Sequence, residues 1–497
     1  MIAVRINTEG FEYDIHSLVK AFYPKDEVKV FLDGTKSLFS DADKPELVIR
    51  RNSDNANDKY QIEIRVLDGD GHEREADKQE IILSSSPSKS EIRNGIKKIV
   101  YQSLSKYTGH DLPWGSLTGI RPTKIAMGLL EEGKSDTDII SYLREQYFAS
   151  DSKIKLGIDI AKRERDILSH IHHENGYSLY IGIPFCPTTC LYCSFTSNPI
   201  CSWASRVDDY LTALEHELEE SAKIMDGRIL DTVYIGGGTP TTLSHFELTR
   251  LIQKVKSVFD WSHVCEFTVE AGRADSITRE KLVALKELGV TRISVNPQTM
   301  NDMTLQRIGR QHSVEQVKEA FALAREIGFT NVNMDLILGL PGEGEEEVAH
   351  TLSEIEKLKP DSLTVHTLAL KKGSRLVEWI EQNGWEALRE PERAMELAVC
   401  SAEKMDLHPY YLYRQKNMSG NFENVGYARE GCYGIYNILI MEEIQSIIAL
   451  GAGSISKRVD SDGRIERCDN VKDVNLYIEK IDEMIERKRK LFCAPTP

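Results

Sequence analysis

The hydrophobic positions of this chain follow a regular alternation from about Tyr180 onward. Apolar runs with a strand-like pattern occupy residues 178–185, 232–238, 266–271, 292–297, 331–340 and 362–370. Amphipathic segments with helical spacing separate them, at 208–225, 245–259, 279–289, 314–328 and 345–358. Such alternation predicts parallel strands with helices outside them, in a doubly wound sheet or a barrel. The notable polar motifs follow strand ends, which favours a full or partial β/α barrel.

The rest of the chain has a different pattern. Before about Ser84, short β-like runs alternate with Asp, Gly, Asn and Lys clusters, which predicts a small mixed sheet with a helix near residues 16–22. Charged segments with helical periodicity then predict a connector, and the pattern becomes irregular after about Glu390. We therefore expect an N-terminal mixed α/β domain over 1–108, a helical connector over 109–175, the barrel over 176–390 and a C-terminal subdomain covering the active site over 391–497.

Charge and apolar content narrow the class of protein. Among 497 residues, 78 Asp and Glu exceed 62 Lys and Arg, and the net charge of -16 disfavours general binding to nucleic acid or to an anionic membrane. The N-terminus lacks the basic-then-apolar pattern of a signal peptide, and no apolar run approaches the roughly 20 residues of a membrane-spanning helix. We therefore expect a cytoplasmic protein whose cysteines are reduced.

Three cysteines are clustered in IPFCPTTCLYCSF, directly after a predicted strand. The spacing of Cys186, Cys190 and Cys193 allows three thiolates to bind three corners of a 4Fe-4S cluster. One iron then keeps a position without a protein ligand, and an open position is what a reacting ligand needs. The motif therefore indicates a reactive iron-sulfur site.

Coincidence and a structural zinc site are the alternatives for this motif. Zinc normally takes a fourth Cys or His, for which Cys201 or the pair His172 and His173 are the nearest candidates. Tyr192 lies between two of the clustered cysteines and Phe195 lies beyond them. Aromatic side chains in these places favour the cluster, because they can shield a redox centre from water.

The segment YIGIPFCPTTCLYCSF resembles the signature of the radical S-adenosylmethionine (SAM) superfamily, and more narrowly that of the oxygen-independent coproporphyrinogen oxidase family. The resemblance implies a partial radical SAM barrel whose 4Fe-4S cluster passes an electron to SAM bound at the open iron. Methionine and a 5'-deoxyadenosyl radical are then released. The cofactors carry the difficult chemistry, and the barrel orients and secludes them. The similarity spans roughly residues 178–457.

A glycine run follows the second strand, in VYIGGGTPT. Gly236, Gly237 and Gly238 let a ligand approach the backbone, and we expect their exposed N–H groups to meet SAM. Thr239 suits a helix cap, a ligand contact or both. A glycine run alone indicates only a turn, but its place one strand after the cysteines favours a SAM site.

Polar side chains follow the next three strands. Glu270 lies in FTVEAGR, Gln298 and Arg310 in the segment 293–313, and Asp335 in NMDLILG. A carboxylate suits the amino group or a ribose hydroxyl of SAM, and an arginine suits a carboxylate. Each residue alone is equally explained as a cap, a salt bridge or a solvated charge. Four of them on successive strand ends favour a binding site.

The resemblance assigns roles residue by residue. The implied metal ligands and catalytic residues are Cys186, Cys190, Cys193, Tyr180 and Arg310. The implied contacts to cluster-bound SAM are Tyr180, Gly237, Glu270 and Ile455. A second SAM site is implied for Tyr192, Gly238, Thr239, Gln298, Arg310, Asp335 and Ala369. A glycine turn in IALGAGSISK adds Gly451, Gly453 and Ser454.

The sequence departs from the established oxidases at two positions. Phe195 stands where they carry a further cysteine, and Gly182 stands where they carry a histidine. The layout, including LPWGSLTGIRPTK and EAGRADSIT, looks most like the HemZ-type coproporphyrinogen dehydrogenases. The family also contains heme chaperones with an HNxxYW element, which becomes ENVGYA here, with Glu423 for the histidine and Ala428 for the tryptophan. Loss of that imidazole weakens the chaperone interpretation.

The resemblance implies oxidative decarboxylation of coproporphyrinogen III to protoporphyrinogen IX. Its partners would be the tetrapyrrole and an electron donor such as a flavodoxin or ferredoxin. Four substrate carboxylates need cations, and the candidates are Arg310, Lys371, Arg375, Arg414 and Lys457. Two alternatives stay open: a radical SAM enzyme that opens or methylates heme, and a heme carrier without turnover. His366 would be a substitute iron ligand, a proton donor or a hydrogen-bonded wall residue.

Overall fold

A computed structural model describes residues 1–32, 46–54, 59–67, 81–82, 87–119, 121–371, 373–384, 388, 392–414 and 422–493. Parts of the strand-like runs predicted before residue 84, and the predicted boundary at Glu390, lie outside these residues. The chain forms two compact units. One comprises residues 1–159 and 414–423, and the other comprises residues 160–413 and 424–497. The four-segment division stays a prediction.

The first unit contains a small mixed sheet and several helices. Its strands are β1 Ile2–Ile6, β2 Val28–Leu32, β3 Glu46–Asp54, β4 Lys59–Leu67 and β5 Ile81–Ile82. Its helices are α1 Glu12–Phe22, α2 Lys89–Thr108, α3 Thr123–Glu131, α4 Asp136–Tyr147 and the first half of α5 Asp151–Leu168. The strand order is β2-β1-β3-β4-β5, with β1 parallel to β2 and β3 and the later pairs antiparallel. The predicted mixed sheet with an early helix is confirmed.

Local sequence explains the longest helix of this unit. Ser88 and Glu91 form a capping box at the start of α2, and Gly109 ends the helix with a φ of 65° that favours glycine. Between these signals, apolar residues such as Ile96 and Leu104 recur on one face and are fully buried. That face belongs to the same core as Ile15 and the other buried residues of β1 and α1. Helix α2 therefore covers the small sheet.

The second unit contains the strands that the alternating pattern predicts. Its strands are β6 Gly176–Ile183, β7 Phe185–Cys186, β8 Asn198–Pro199, β9 Ile229–Gly237, β10 Glu266–Gly272, β11 Arg292–Val295, β12 Val332–Leu338, β13 Ser362–Thr367, β14 His408–Tyr413, β15 Asn424–Ala428, β16 Ser446–Leu450, β17 Ile455–Val459 and β18 Ile465–Asp469. Its complete helices are α6 Val207–Ile224, α7 His245–Val258, α8 Arg279–Glu287, α9 Asp302–Arg307, α10 Val314–Ile327, α11 Glu345–Leu358, α12 Leu376–Asn383, α13 Glu392–Lys404, α14 Ile435–Glu442, α15 Val474–Glu479 and α16 Ile481–Cys493.

One sheet organises this unit, and its described strands have the order β14-β15-β13-β12-β11-β10-β9-β6-β16-β17-β18. The strands from β13 to β16 in this order are all parallel. Antiparallel pairs extend both edges, so the sheet does not close on itself. The partial β/α barrel predicted from the sequence is confirmed, and the segment after residue 391 contributes strands to both of its edges.

The parallel arrangement places the site. The central strands are buried on both faces, as all eight residues of β6 except Tyr180 show, because helices cover parallel sheets. All seven parallel strands end at the same edge, so the loops that follow them meet there. Within the described residues, no helix combines the length and apolar content needed to cross a membrane.

Candidate active site

The cysteine loop, residues 184–197, follows β6 and is hydrogen-bonded to the turn after α9. Cys186 ends β7, and the amide of Cys193 donates to the carbonyl of Cys190 at 3.2 Å. Two bonds hold the loop to the turn after α9: the amide of Leu191 donates to the carbonyl of Ile308 at 2.9 Å, and the Thr188 hydroxyl donates to Gly309 at 2.9 Å. The loop is thereby fixed across the carboxyl edge of the sheet.

The three thiols lie close enough to influence one another. Burial raises the pKa of Cys186 and of Cys193, and the charge of Cys190 raises both further. Arg273 lowers the pKa of Cys186, and Arg310 lowers that of Cys193. A mutually close set of three thiols with two guanidinium groups nearby fits an anionic iron-sulfur cluster. Within the described residues, no three Cys, His, Asp or Glu side chains are arranged as ligands of a single metal ion.

The residues considered for a zinc site are held elsewhere. His172 Nδ1 lies 2.7 Å from Asp231 Oδ1 at the amino end of β9, the opposite edge of the sheet from the cysteine loop. His173 Nε2 lies 2.9 Å from the carbonyl of Leu168. Cys201 is exposed. The structure brings neither histidine to the three clustered cysteines.

The glycine run packs directly against the cysteine loop. Gly237 has a φ of 104°, and a Cβ at Gly238 would lie 2.5 Å from the carbonyl oxygen of Phe185 and 3.0 Å from Cys186 Sγ. Thr239 Oγ1 lies 3.5 Å from the same sulfur. Glycine is required here because the backbone approaches the loop so closely.

The expectation of an exposed amide is wrong for Gly238, the last glycine of the run. The amide of Gly238 donates to the carbonyl of Ile183 at 2.7 Å, and the amide of Thr239 donates to Phe185 at 2.7 Å. Both N–H groups are used to join the end of β9 to the strand and loop beside it. The glycines therefore serve packing of the cysteine loop as well as any ligand.

Aromatic rings and a carboxylate pack together next to this run, since a Cβ at Gly236 would lie 2.7 Å from the Tyr234 ring and 3.0 Å from the Glu270 carboxylate. Tyr180 stacks on Tyr234 and on Tyr436, each with 6.1 Å between ring centroids, and Tyr234 stacks on Tyr436 at 4.5 Å. The Tyr234 hydroxyl donates to the Glu270 carboxylate. Burial raises the pKa of Glu270 to about 7, although the Tyr234 hydrogen bond lowers it. Glu270 therefore changes protonation state near neutral pH.

A second set of polar side chains lies on and after strands β11 and β12. Gln298 has a φ of 69°, its amide donates to the carbonyl of Asp335 at 2.9 Å, and one buried side-chain oxygen has no protein partner among the described residues. The Asp335 carboxylate accepts a 2.7 Å bond from Asn333. Arg310 is buried and donates to the Tyr192 hydroxyl at 3.2 Å. Arg310 also donates to the carbonyl of Asn296, two residues before Gln298, so the Arg310–Tyr192 pair adjoins the segment that carries Gln298.

Ala369 and Ile455 lie at the same edge of the sheet. Ala369 follows the end of β13, and Ile455 begins β17 with 47% of its surface exposed. The glycine turn before Ile455 contacts the cysteine loop, since a Cβ at Gly453 would lie 2.6 Å from Thr196 Oγ1. His366 lies on β13 with Nε2 4.0 Å from Asp335 Oδ2, and burial lowers its pKa.

The sequence analysis missed Arg273, Asp275 and His312. Arg273 pairs with Asp275 at 2.6 Å, and His312 Nδ1 lies 3.6 Å from the same carboxylate. Burial alone would raise the pKa of Asp275, but the bonds from His312 and Arg273 outweigh burial and lower it. The signal for Arg273 and Asp275 was the charged run EAGRADS at the end of β10, and no comparable signal marks His312.

Comparison with known proteins identifies the superfamily of this chain. The model of the radical SAM superfamily matches residues 180–355. The chain is 43% identical over 406 residues to the oxygen-independent coproporphyrinogen-III oxidase-like protein HemZ of Bacillus subtilis (strain 168), covering 80% of this chain and 81% of that protein. It is 37% identical over 243 residues to the heme chaperone HemW of the same organism, covering 49% of this chain and 63% of HemW.

A solved structure supports the fold. Coproporphyrinogen III oxidase (HemN) from Escherichia coli, described as a radical SAM enzyme, matches with a TM-score of 0.51 and 23% identity over 65% of this chain and 73% of that chain. The partial barrel and the cysteine loop at its carboxyl edge are those of a radical SAM protein. The chain belongs to the radical SAM superfamily and, within it, to the HemN/HemZ family. Membership implies a 4Fe-4S cluster and SAM as cofactors.

Proposed function

We propose that this protein catalyses the oxidative decarboxylation of coproporphyrinogen III to protoporphyrinogen IX. The observation that carries the proposal is the meeting of the cysteine loop, the glycine run and the polar strand ends at one edge of the barrel. Similarity to a HemZ protein named as oxidase-like, across four-fifths of both chains, supports the choice of reaction.

In this proposal, Cys186, Cys190 and Cys193 hold the cluster. Tyr180, Gly237, Glu270 and Ile455 contact the SAM bound to it. When bound, these cofactors supply a 5'-deoxyadenosyl radical, which removes a hydrogen atom from the β-carbon of a propionate. The Glu270 carboxylate binds the SAM amino group, and the Tyr234 hydroxyl fixes its orientation.

A second SAM molecule is part of the proposal because two propionates react. Its site is formed by Tyr192, Gly238, Thr239, Gln298, Arg310, Asp335 and Ala369. Supporting contacts are the Arg310–Tyr192 bond of 3.2 Å and the backbone bond of 2.9 Å between Gln298 and Asp335. Each propionate loses a hydrogen atom, carbon dioxide and one electron to become a vinyl group. The reaction therefore needs an electron acceptor, and cluster reduction needs a donor such as a flavodoxin or ferredoxin.

Lys371 is the best-placed cation for a substrate carboxylate. Its ammonium lies 5.3 Å from the centre of the Phe195 ring, beside Cys193, and burial lowers its pKa. Phe195 is itself 71% exposed, so this pair faces the open side of the cysteine loop. An exposed ring and an ammonium next to the reactive centre suit a macrocycle that carries propionates.

Arg310 is assigned here to the second SAM site, and the three remaining candidate cations are engaged in the protein. Arg375 donates to the carbonyl of Thr189 in the cysteine loop. Lys457 pairs with Glu443 at 3.0 Å. Arg414 belongs to the first unit and donates to the carbonyl of Leu117 at 2.6 Å. These bonds favour Lys371 over the three of them as the residue that selects the substrate.

The position of Glu423 argues against heme carriage. Its carboxylate is fully buried, accepts a 2.7 Å bond from the Trp114 indole and pairs with Lys153 in the first unit. It replaces the histidine of the chaperone motif with an internal ion pair. A carboxylate held in this way is not offered to a heme iron.

An anaerobic assay tests the proposal. Reconstituted protein is incubated with SAM, dithionite and coproporphyrinogen III, and porphyrins and 5'-deoxyadenosine are followed by mass spectrometry. We expect stepwise loss of two carboxyl groups matched by deoxyadenosine, abolished in Cys190→Ala and retained in Cys201→Ala, whose thiol is exposed outside the motif. Deoxyadenosine without change in the porphyrin would contradict the proposal and point to heme as substrate or ligand.

A further inference from the structure

Arg273 lies behind the cysteine loop and contacts it directly. The side chain follows β10 and is 4% exposed. Its Nη1 donates to the Thr188 carbonyl at 3.0 Å and lies 2.7 Å from the Thr188 hydroxyl. The same nitrogen lies 4.0 Å from Cys190 Sγ. A guanidinium is charged at all accessible pH values, so a fixed positive charge lies beside one of the three clustered sulfurs.

A carboxylate fixes the direction of this guanidinium. Arg273 Nε donates to Asp275 Oδ1 at 3.0 Å, and Nη2 donates to Oδ2 at 2.6 Å. Bidentate pairing of this kind sets the plane of the guanidinium. The remaining donor nitrogen, Nη1, therefore points at the loop between Cys186 and Cys190. The pair therefore directs a positive charge toward Cys190 Sγ, and it also stabilises the turn after β10.

We propose that Arg273 raises the reduction potential of the bound cluster through Cys190. This inference rests on the cluster-binding part of the proposed function. Net charge and hydrogen bonds to the sulfurs are among the main determinants of iron-sulfur potentials. Reduction adds an electron to an already anionic cluster, and a buried positive charge near a ligand sulfur stabilises the added charge. Arg273 therefore makes the cluster easier to reduce by a weak donor.

The loop keeps other anchors when Arg273 is replaced. Thr188 also donates to Gly309 at 2.9 Å, and Leu191 donates to Ile308 at 2.9 Å. Arg375 donates to the neighbouring carbonyl of Thr189. A variant at position 273 is therefore expected to bind iron, which allows the effect on potential to be measured separately from the effect on assembly.

The test is a redox titration of reconstituted protein, followed by electron paramagnetic resonance without SAM or porphyrin. For Arg273→Met we expect iron content close to that of the wild type and a reduction equilibrium about tenfold less favourable, a potential lower by about 59 mV for one electron. Arg273→Lys retains the charge and should shift less. The control is Arg279→Met, which removes an arginine that pairs with Glu326 at 2.7 Å on the exposed face of α8.

Reduction potential and iron content together distinguish an effect of Arg273 on the cluster from an effect on the structure of the cysteine loop. An unchanged potential in Arg273→Met with full iron content would overturn the inference. If that variant loses iron, Arg273→Gln is titrated instead, because it removes the charge and keeps an amide donor for the Thr188 carbonyl; a lowered potential supports the inference and an unchanged one overturns it. The titration contains neither SAM nor porphyrin, so failure of the decarboxylation assay leaves this result intact.

Discussion

Lys488 Nζ lies 2.6 Å from Glu217 Oε1, and both side chains are buried, at 1% and 0% exposure. Glu217 also accepts from the amide of Gly451 at 2.8 Å and from the Tyr477 hydroxyl at 2.6 Å. Asn470 donates to Glu217 at 2.8 Å as well. The pair therefore joins α16 to α6 and holds the glycine turn that contacts the cysteine loop.

Replacing Lys488 tests this pair. Lys488→Met leaves the Glu217 carboxylate buried without its counter-charge, and we expect the free energy of unfolding to fall by about 3–5 kcal/mol in a urea titration. The control is Arg489→Met, which removes a neighbouring cation from a partly exposed pair with Glu220. That control should change stability by less than about 1 kcal/mol. Equal losses in both variants would contradict the structural role of the buried pair.

The bond between Tyr234 and Glu270 predicts a pH dependence of SAM binding. Burial raises the pKa of Glu270 to about 7, so its carboxylate form grows as the pH rises from 6 to 8. If the carboxylate binds the SAM amino group, SAM affinity rises across this range. Tyr234→Phe removes a bond that lowers the pKa and should move the profile to higher pH. A one-unit rise would reduce affinity at pH 7 about fivefold.

Isothermal titration calorimetry of the anaerobic protein at several pH values checks this prediction. Tyr436→Phe is the control, because it removes a hydroxyl from the same ring stack and leaves the Tyr234–Glu270 bond in place. Its profile should follow that of the wild type. SAM affinity that does not vary between pH 6 and pH 8 would show that Glu270 does not act as a carboxylate ligand.

Gly238 is predicted to be essential for cluster assembly. In Gly238→Ala the new Cβ would lie 2.5 Å from the Phe185 carbonyl and 3.0 Å from Cys186 Sγ, so the cysteine loop must move. We expect reconstituted iron per chain to fall several-fold, measured by colorimetric iron assay and absorbance. Gly128→Ala is the control, since nothing lies within 4 Å of its Cβ on α3. Normal iron content in Gly238→Ala would contradict the close packing.

Periodicity was sufficient to predict the strands and helices of the barrel. The predicted run at 362–370 contains β13, and the amphipathic segment at 345–358 coincides with α11. Strands β14 to β18 were not predicted, and β16 illustrates the reason, because its neighbour β6 is distant in sequence. Residues Ser446–Leu450 form β16, parallel to β6 some 270 positions earlier, and five apolar or small residues give no sign of that pairing.

The same contrast between local patterns and contacts of distant residues applies to the site. Cys186 and its companions were found from their spacing, which is local. Arg273 was missed because its significance depends on Thr188 and Cys190, which are more than 80 positions away. The amide of Gly238 was misjudged for the same reason, since its acceptor lies on β6. Local motifs therefore predict which cysteines the structure brings together, and predict poorly the residues that support them.

Glu423 provides a last prediction, which separates an internal ion pair from a heme ligand. Glu423→Gln removes the charge partner of Lys153 and weakens the bond from Trp114, so the free energy of unfolding should fall by about 1–3 kcal/mol in urea. Any heme affinity of the wild type, measured by absorbance titration, should be unchanged because the carboxylate faces the protein interior. Asp151→Asn, in an exposed pair with Arg144, should alter neither quantity appreciably. Loss of heme binding in Glu423→Gln but not in Asp151→Asn would support the interpretation of the protein as a heme carrier.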